Sequence, residues 1–262
     1  MMCLIPIVPP GSETTSSSFS LSTLSKLKSL YLQCLEELEY LPEEWLRNLT
    51  SLETLEISEC RKLRIAMSPL FEHLTAQEDL QICTPKELIS NEVEKGAQCL
   101  GSTTLRWLYI QSVPNLVSLP RELRHVTTLQ ELQIENCHTL KSLSEWIGNF
   151  TSLQTLKILN CPKLISLPEG MHILPSLRYL IIARCHHLEE RCEQGTGEDW
   201  PKIAHIPYFI VGNRSTDRME WIRSLTHQLF LRYLSHQLDT NFISSSCCSS
   251  SFYSVRFLVY NI

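Results

Sequence analysis

Residues 129–188 read LQELQIENCHTLKSLSEWIGNFTSLQTLKILNCPKLISLPEGMHILPSLRYLIIARCHHL, and the same pattern recurs through the whole stretch. The unit is L-x-x-L-x-[LI]-x-x-C-x-x-L, and its leading leucines, Leu129, Leu153 and Leu177, are 24 residues apart. The L-x-[LI] segment predicts a short β-strand in which alternate side chains face the core. One such unit cannot bury its own apolar face, so neighbouring units must stack.

The repeat extends toward the N-terminus with the same spacing of apolar residues. Further leading leucines are Leu27, Leu52 and Leu105, and a degenerate unit carries Gln77 in the leucine position. This makes seven units, whose strands would span roughly 30 Å if neighbours lie about 4.8 Å apart. The pattern predicts an α/β fold: a leucine-rich-repeat solenoid, or horseshoe, with a parallel sheet on the concave side and an irregular or short-helical convex side.

Changes in composition divide the chain into four predicted segments. The Ser-, Thr- and Pro-rich residues 1–23 are expected to be disordered, and residues 24–190 to form the solenoid of about seven units. Residues 191–212 are expected to cap the last strand, because terminal repeats need a cover. Residues 213–262 are a tail of unknown role, and the apolar spacing from Trp221 to Tyr233 predicts that it is partly helical.

Charge and composition narrow the class of protein. A net charge of -5, without a basic stripe, argues against a nucleic-acid partner. No apolar run approaches the length that spans a membrane, and the start of the chain is a poor secretory signal. We therefore expect a cytoplasmic protein with free cysteines. The glycosylation pattern at Asn48, Asn149 and Asn213 keeps an extracellular receptor ectodomain open as an alternative.

The sequence offers no motif for catalysis or for a cofactor. It contains neither a G-x-x-x-x-G-K-[ST] phosphate loop nor a G-x-S-x-G turn. Cys185, His186, His187 and Cys192 resemble a zinc-ligand group, but Cys185 occupies the buried cysteine position of the repeat. We predict a protein that is not an enzyme and holds no metal or cofactor.

The residues between the strand leucines are the remaining candidates for function, because strand alternation turns them toward the concave face. Trp107 and Tyr109 are the best anchor pair, since exposed aromatic residues are enriched in protein interfaces. The alternative is that aromatic side chains simply suit a sheet surface. The predicted partner-binding residues are Tyr31, Glu56, Gln81, Trp107, Tyr109, Glu131, Gln133, Lys157, Tyr179 and Ile181.

Three segments resemble the C-terminal leucine-rich-repeat region of plant disease-resistance proteins of the coiled-coil, nucleotide-binding, leucine-rich-repeat type. They are LPEEWLRNLTSLETLEISEC from residue 41, LSEWIGNFTSLQTLKILNCPKLISLPEGMHILPSLRYLIIARC from residue 143, and LEERCEQGTGEDWPKIAHIP from residue 188. The closing segment is the most specific of the three. In that family a nucleotide-binding switch domain precedes the repeats; this sequence contains no phosphate loop, and the resemblance implies that it corresponds to the repeat region of a truncated receptor.

The resemblance implies a protein-recognition module like the sensing region of an intracellular immune receptor. The implied partner is a protein: a pathogen effector, a guarded host protein or the receptor's own switch domain. A general protein-interaction scaffold remains an alternative, beside the extracellular ectodomain.

Overall fold

A single parallel sheet forms the concave side of the protein. The computed structural model describes residues 2–5, 21–90, 104–212 and 255–258. Eight strands follow one another in the sheet, all parallel. They are β2 (Ser29–Gln33), β3 (Thr54–Ser58), β5 (Asp79–Cys83), β7 (Trp107–Gln111), β8 (Glu131–Glu135), β9 (Thr155–Leu159), β10 (Tyr179–Ala183) and β11 (Tyr208–Val211). The predicted solenoid and its parallel concave sheet are confirmed.

Short elements form the convex side and the ends. The helices are α1 (Glu43–Asn48), α2 (Met67–His73), α3 (His186–Arg191) and α4 (Trp200–Ile203), with 3-10 helices at Leu21–Lys26, Arg121–His125, Glu145–Asn149 and Glu169–Ile173. A second sheet pairs β4 (Arg64–Ala66) with β6 (Glu87–Ile89) in parallel. Two further strands, β1 (Met2–Ile5) and β12 (Val255–Leu258), extend the large sheet beyond β2 in antiparallel pairing.

The repeat leucines form one continuous core between the two sides. Leu132, Leu156 and Leu180 are fully buried and stand side by side in the register of β8, β9 and β10. Gln77 replaces a leucine in the degenerate unit and is also buried, and its Nε2 donates a hydrogen bond to the Asp79 carbonyl at 3.2 Å. The substitution is tolerated because the buried amide has a partner.

The cysteines of the repeat pack as small core side chains. Cys60, Cys137, Cys161 and Cys185 are fully buried, and each thiol donates to the carbonyl two residues earlier at 3.4–3.5 Å. Burial raises the pKa of Cys60 and of Cys137 to about 11. These two thiols therefore stay protonated at neutral pH.

Each of the seven repeat strands from β2 to β10 is followed by a residue with left-handed backbone conformation. These residues follow β2, β3, β5, β7, β8, β9 and β10 directly, with φ between 51° and 57°, and none is glycine. Asparagine adopts this conformation more readily than most residues, whereas a β-branched residue is strained there. The seven positions are Cys34, Glu59, Thr84, Ser112, Asn136, Asn160 and Arg184.

Asp199 is fully buried and joins the closing segment, residues 191–212, to the last repeats by hydrogen bonds and ion pairs. Its carboxylate accepts a hydrogen bond from the Leu167 backbone N–H at 2.8 Å and ion pairs from Arg191 and Lys202 at 3.0 Å. Burial acts to raise the pKa of Asp199, but these donors outweigh it, and the net pKa lies below its ordinary value. Ile203 and Ile206 of the same segment are buried in the hydrophobic core.

The two ends of the chain are described only in part, so the expected disordered start and partly helical tail remain predictions. Met2–Ile5 and Val255–Leu258 lie in strands, and Leu21–Lys26 forms a 3-10 helix. Val255–Leu258 pairs with the edge of β2, whose backbone groups would otherwise lack partners in the sheet. The predicted helical stripe from Trp221 to Tyr233 lies outside the described residues.

Candidate functional site

All ten residues predicted to bind a partner lie on concave strands, from β2 to β10. The structure therefore places them on one continuous face, in two neighbouring rows. The first row contains Trp107, Glu131 and Tyr179; the second contains Tyr31, Glu56, Gln81, Tyr109, Gln133, Lys157 and Ile181. Their role in binding remains a prediction.

Three of the ten are less accessible than strand alternation alone suggests. Gln133 is 8% exposed, Lys157 is 3% exposed and Ile181 is 2% exposed. The ammonium of Lys157 lies 2.7 Å from Glu131 Oε1, which turns the side chain along the sheet surface and away from water. A partner would contact the neighbours of these three residues more readily than the residues themselves.

The aromatic pair sits at the middle of the face. Trp107 and Tyr109 are both half-buried on β7, two residues apart. The Tyr109 hydroxyl donates to Glu135 Oε2 at 2.8 Å, and Gln133 Nε2 donates to the same oxygen at 3.2 Å. Burial, and then the charge of Glu135, raise the pKa of Tyr109. The hydrogen bond from its hydroxyl to Glu135 thus holds the Tyr109 ring in place.

Carboxylates border the aromatic pair on both sides. Trp107 stands in register between Asp79 on β5 and Glu131 on β8. Glu56 lies one strand further, half-buried on β3. Burial, and then the negative charge of Asp79, raise the pKa of Glu56 to about 7. The centre of the concave face therefore combines aromatic rings with carboxylates that repel one another.

The C-terminal end of the face is apolar, and part of it was missed from the sequence. The Tyr208 ring stacks on Tyr179 with centroids 5.1 Å apart and is 57% exposed. Ile210 continues the row of Ile181 on the next strand. Tyr208-x-Ile210 repeats the spacing of Tyr179-x-Ile181, and this pattern could have identified β11 as an eighth strand.

The described residues offer no other obvious site. Among them, no three His, Cys, Asp or Glu side chains come together as a metal ion would require. No helix in the described ranges combines the length and apolar character that crossing a bilayer demands. Across the same residues, Cys34, Cys60, Cys83, Cys137, Cys161, Cys185 and Cys192 are free thiols.

Three solved structures resemble the chain at low sequence identity. The leucine-rich repeat domain of the type III effector XopL is 16% identical with a TM-score of 0.43, over 71% of this chain and 76% of that one. An internalin C2 from Listeria monocytogenes is 18% identical with a TM-score of 0.39, over 72% and 82%. The plant peptide hormone receptor RGFR1, in complex with RGF2, is 16% identical with a TM-score of 0.23, over 63% and 43%.

Comparison with family models identifies the family more specifically than these solved structures do. No curated protein matches the chain in sequence. The family model described as plant disease resistance protein RPS2-like, leucine-rich repeats, matches residues 11–162, which is more than half of the chain. This stretch contains the first six repeat strands, from β2 to β9, and the aromatic pair of β7. The chain belongs to the RPS2-like leucine-rich-repeat family of plant disease resistance proteins.

Proposed function

We propose that this chain is a protein-recognition module of plant innate immunity, acting in the cytoplasm as the sensing region of an intracellular receptor. Membership of the resistance-protein family supports this role, and the fold offers a broad concave sheet for contact. The proposed partner is a pathogen effector, a guarded host protein or the switch domain of a receptor. The role is recognition and involves no catalytic step.

The observation that carries the proposal is the half-exposed aromatic pair at the centre of the sheet. Trp107 and Tyr109 project from one strand, and polar side chains border them on the neighbouring strands. An aromatic anchor within a polar surround is where binding energy often concentrates. Tyr40 is an exposed aromatic residue outside the concave sheet, with 52% of its surface accessible, and its hydroxyl accepts a hydrogen bond from Arg64 at 3.3 Å.

The experiment is proximity labelling in plant cells, with the full chain fused to a biotin ligase. Wild type, Trp107→Ala, Tyr109→Ala and the aromatic control Tyr40→Ala are compared at equal expression. A partner that depends on the concave face loses labelling in the first two variants and keeps it in the third, because a hot-spot truncation costs at least ~2 kcal/mol of binding. Loss in Tyr40→Ala alone would contradict the assignment of the concave face.

The cytoplasmic location is tested on the same material. Free thiols in the described cysteines support a reducing compartment. Asn149 is exposed, and its side chain donates to the Arg124 carbonyl at 3.2 Å. A glycan detected at Asn149 by mass spectrometry would move the proposal to the extracellular ectodomain.

A further inference from the structure

Two buried thiols lie side by side inside the last repeats. Cys161 and Cys185 occupy the same position of successive repeats, two residues after the ends of β9 and β10, and both are fully buried. The Asn160 N–H donates to the Ala183 carbonyl at 2.9 Å, so the two backbones are still at hydrogen-bonding distance one residue before Cys161. The next N–H, that of Cys161, donates to the Cys185 sulfur at 3.3 Å.

The two side chains also contact one another. The Cys161 thiol lies within hydrogen-bonding reach of both the Leu159 carbonyl, at 3.5 Å, and the Cys185 sulfur. The hydrogen bond between the thiols lowers the pKa of Cys185, although burial acts to raise it. The same bond, and then burial, raise the pKa of Cys161. Cys185 is therefore the sulfur that ionises first, with a protonated thiol beside it.

The other buried cysteines nearby are held as neutral thiols. Burial raises the pKa of Cys137, one repeat before Cys161, to about 11. Burial likewise raises the pKa of Cys192, at the end of α3, to about 12. Among the described buried cysteines, only Cys185 has a lowered pKa. A thiolate in contact with a second thiol is the arrangement from which a disulfide forms on oxidation.

We propose that Cys161 and Cys185 are a modification site: a peroxide oxidises them to a disulfide that cross-links the repeats of β9 and β10, and the closing segment controls its access. The span fits, because equivalent Cα atoms of stacked repeats lie about 4.8 Å apart and a disulfide joins Cα atoms about 4.4–6.8 Å apart. The inference goes beyond the proposed recognition role and does not depend on it, because no outward residue of the concave face takes part.

The oxidation consumes hydrogen peroxide in two steps. The Cys185 thiolate attacks a peroxide oxygen, the O–O bond breaks, hydroxide leaves and Cys185 becomes a sulfenic acid. The Cys161 sulfur then attacks the Cys185 sulfur and loses its proton; the S–O bond breaks, the S–S bond forms and water leaves. The two sulfurs give two electrons to the peroxide oxygens, and the hydroxide takes up the proton released when Cys185 ionised.

The closing segment is the part that must loosen before peroxide can reach the two buried sulfurs. Helix α3 follows Cys185 directly, and Asp199 ties its last residue, Arg191, to the Leu167 backbone. The last repeats pack against a repeat on one side and the closing segment on the other, so loss of the contacts of Asp199 should open them first.

The test treats the reduced full chain with a small excess of hydrogen peroxide, blocks the remaining thiols with N-ethylmaleimide, and maps disulfides by mass spectrometry after trypsin. Cleavage after Lys and Arg places Cys161 in residues 158–163 and Cys185 in residues 185–191, while Cys137 and Cys192 fall in separate peptides. We expect peptides 158–163 and 185–191 to be linked, and dithiothreitol to release them. A link of either peptide to Cys137 or Cys192 in place of this one, or the absence of a link, overturns the inference.

Single variants test the roles of the two sulfurs, and thermal melting confirms that each variant is folded. In Cys161→Ala the disulfide should be lost and dimedone should trap a sulfenic acid on Cys185. In Cys185→Ala neither product should form at Cys161. Cys60→Ala removes an equally buried cysteine from the same position of an early repeat and should leave the link unchanged. Loss of the link in Cys60→Ala, or a dimedone adduct on Cys161 in Cys185→Ala, contradicts the assigned pair.

Access is tested by the rate at which the link appears. Asp199→Ala should form it at least about tenfold faster than wild type, because oxidation of a buried thiol follows the population of the open state. Glu198→Ala, which removes an exposed carboxylate from the same segment, should keep the wild-type rate. Equal rates in all three proteins would overturn control by the closing segment.

Discussion

The N-terminal part of the sheet, from β2 to β7, differs from the C-terminal part, from β8 to β11, in regularity and in surface chemistry. Among the leading residues of the units, the steps from Leu27 to Leu52 and to Gln77 are 25 residues, and the step to Leu105 is 28. The later steps are 24 residues each. The N-terminal convex side holds α1, α2 and the second sheet, whereas 3-10 helices line the later repeats.

Close packing of the later repeats explains their regularity. A Cβ atom on Gly170 would lie 2.4 Å from the Glu145 carbonyl oxygen, so only glycine allows the neighbouring 3-10 helices to approach this closely. The concave side of these repeats is mostly apolar or internally paired, as at Tyr179 with Tyr208. The N-terminal part instead keeps carboxylates that repel one another. The two parts therefore differ in packing on the convex side and in the chemistry of their concave surface.

The largest change in stability is expected in the core of the C-terminal part of the sheet. Leu156 is fully buried on β9 between two stacked repeats, so Leu156→Ala should lower the free energy of unfolding by about 2–5 kcal/mol. Gln154→Ala, at an exposed position just before the same strand, should stay within about 0.5 kcal/mol. Urea denaturation measures both. Equal losses at the two positions would contradict the strand register.

The next effect is expected at the C-terminal cap. Asp199→Ala leaves the Leu167 N–H without its acceptor and leaves Arg191 and Lys202 without a shared partner. The loss of stability should be about 2–3 kcal/mol, below the usual cost of breaking a buried pair because Arg191 keeps contact with water. Glu198→Ala, whose side chain is 75% exposed, is the control. Hydrogen exchange at β11 should accelerate in the first variant only.

A smaller change in stability, of opposite sign, is expected in the N-terminal part of the sheet, where Glu56 lies. The folded-state pKa of Glu56, about 7, lies above the ordinary value near 4.5, so the carboxyl takes up a proton on folding between these pH values. Its favourable contribution is complete below pH 4.5 and is lost as the pH rises through 7. Glu56→Gln should therefore stabilise the protein at pH 8 by about 1 kcal/mol, allowing for solvent screening of a half-buried group.

The pH profile checks this prediction. Thermal melting from pH 5 to pH 8 should show a smaller decline for Glu56→Gln than for wild type, while Glu44→Gln should follow wild type. A stability loss for Glu56→Gln at pH 8 would mean that the carboxylate supports the fold.

The smallest effect is expected at the left-handed positions. Asn136 and Asn160 occupy them in the regular part, where Asn160 Nδ2 donates to Asn136 Oδ1 at 2.7 Å, and Ser112 occupies the preceding one with φ 52°. Ser112→Asn should raise stability by about 0.5 kcal/mol, because asparagine tolerates this conformation better, and Ser112→Val should lower it by about 1 kcal/mol. Chemical denaturation of the two variants gives the comparison. The same sign for both would argue that backbone strain is not limiting there.

Much of the fold was predictable because the repeat is periodic. The spacing of Leu129, Leu153 and Leu177 defines both the strands and the side that faces the core, and the seven repeat strands lie where the pattern places them. The eighth strand was predictable in principle from Tyr208-x-Ile210. It was missed because the closing segment between α3 and β11 interrupts the 24-residue period.

The candidate surface was predictable only as a set of positions. Strand alternation places Trp107, Glu56 and Lys157 on one face because successive side chains of a strand point to opposite sides. The residues that complete its chemistry, Asp79 and Glu135, stand on the same face, and no pattern in the chain separates them from other outward side chains.

The sequence by itself determined the period, the core columns and the concave face, since all three follow from local spacing and the need to bury leucines. Only the tertiary structure decided which charges on that face are neutralised. Lys157 reaches diagonally to Glu131 across 26 residues of chain and becomes buried, while Glu56 has Asp79 for a neighbour and no cation paired with it among the described residues. These relations depend on which strands stack and how each side chain turns, and neither is encoded in the spacing of one repeat.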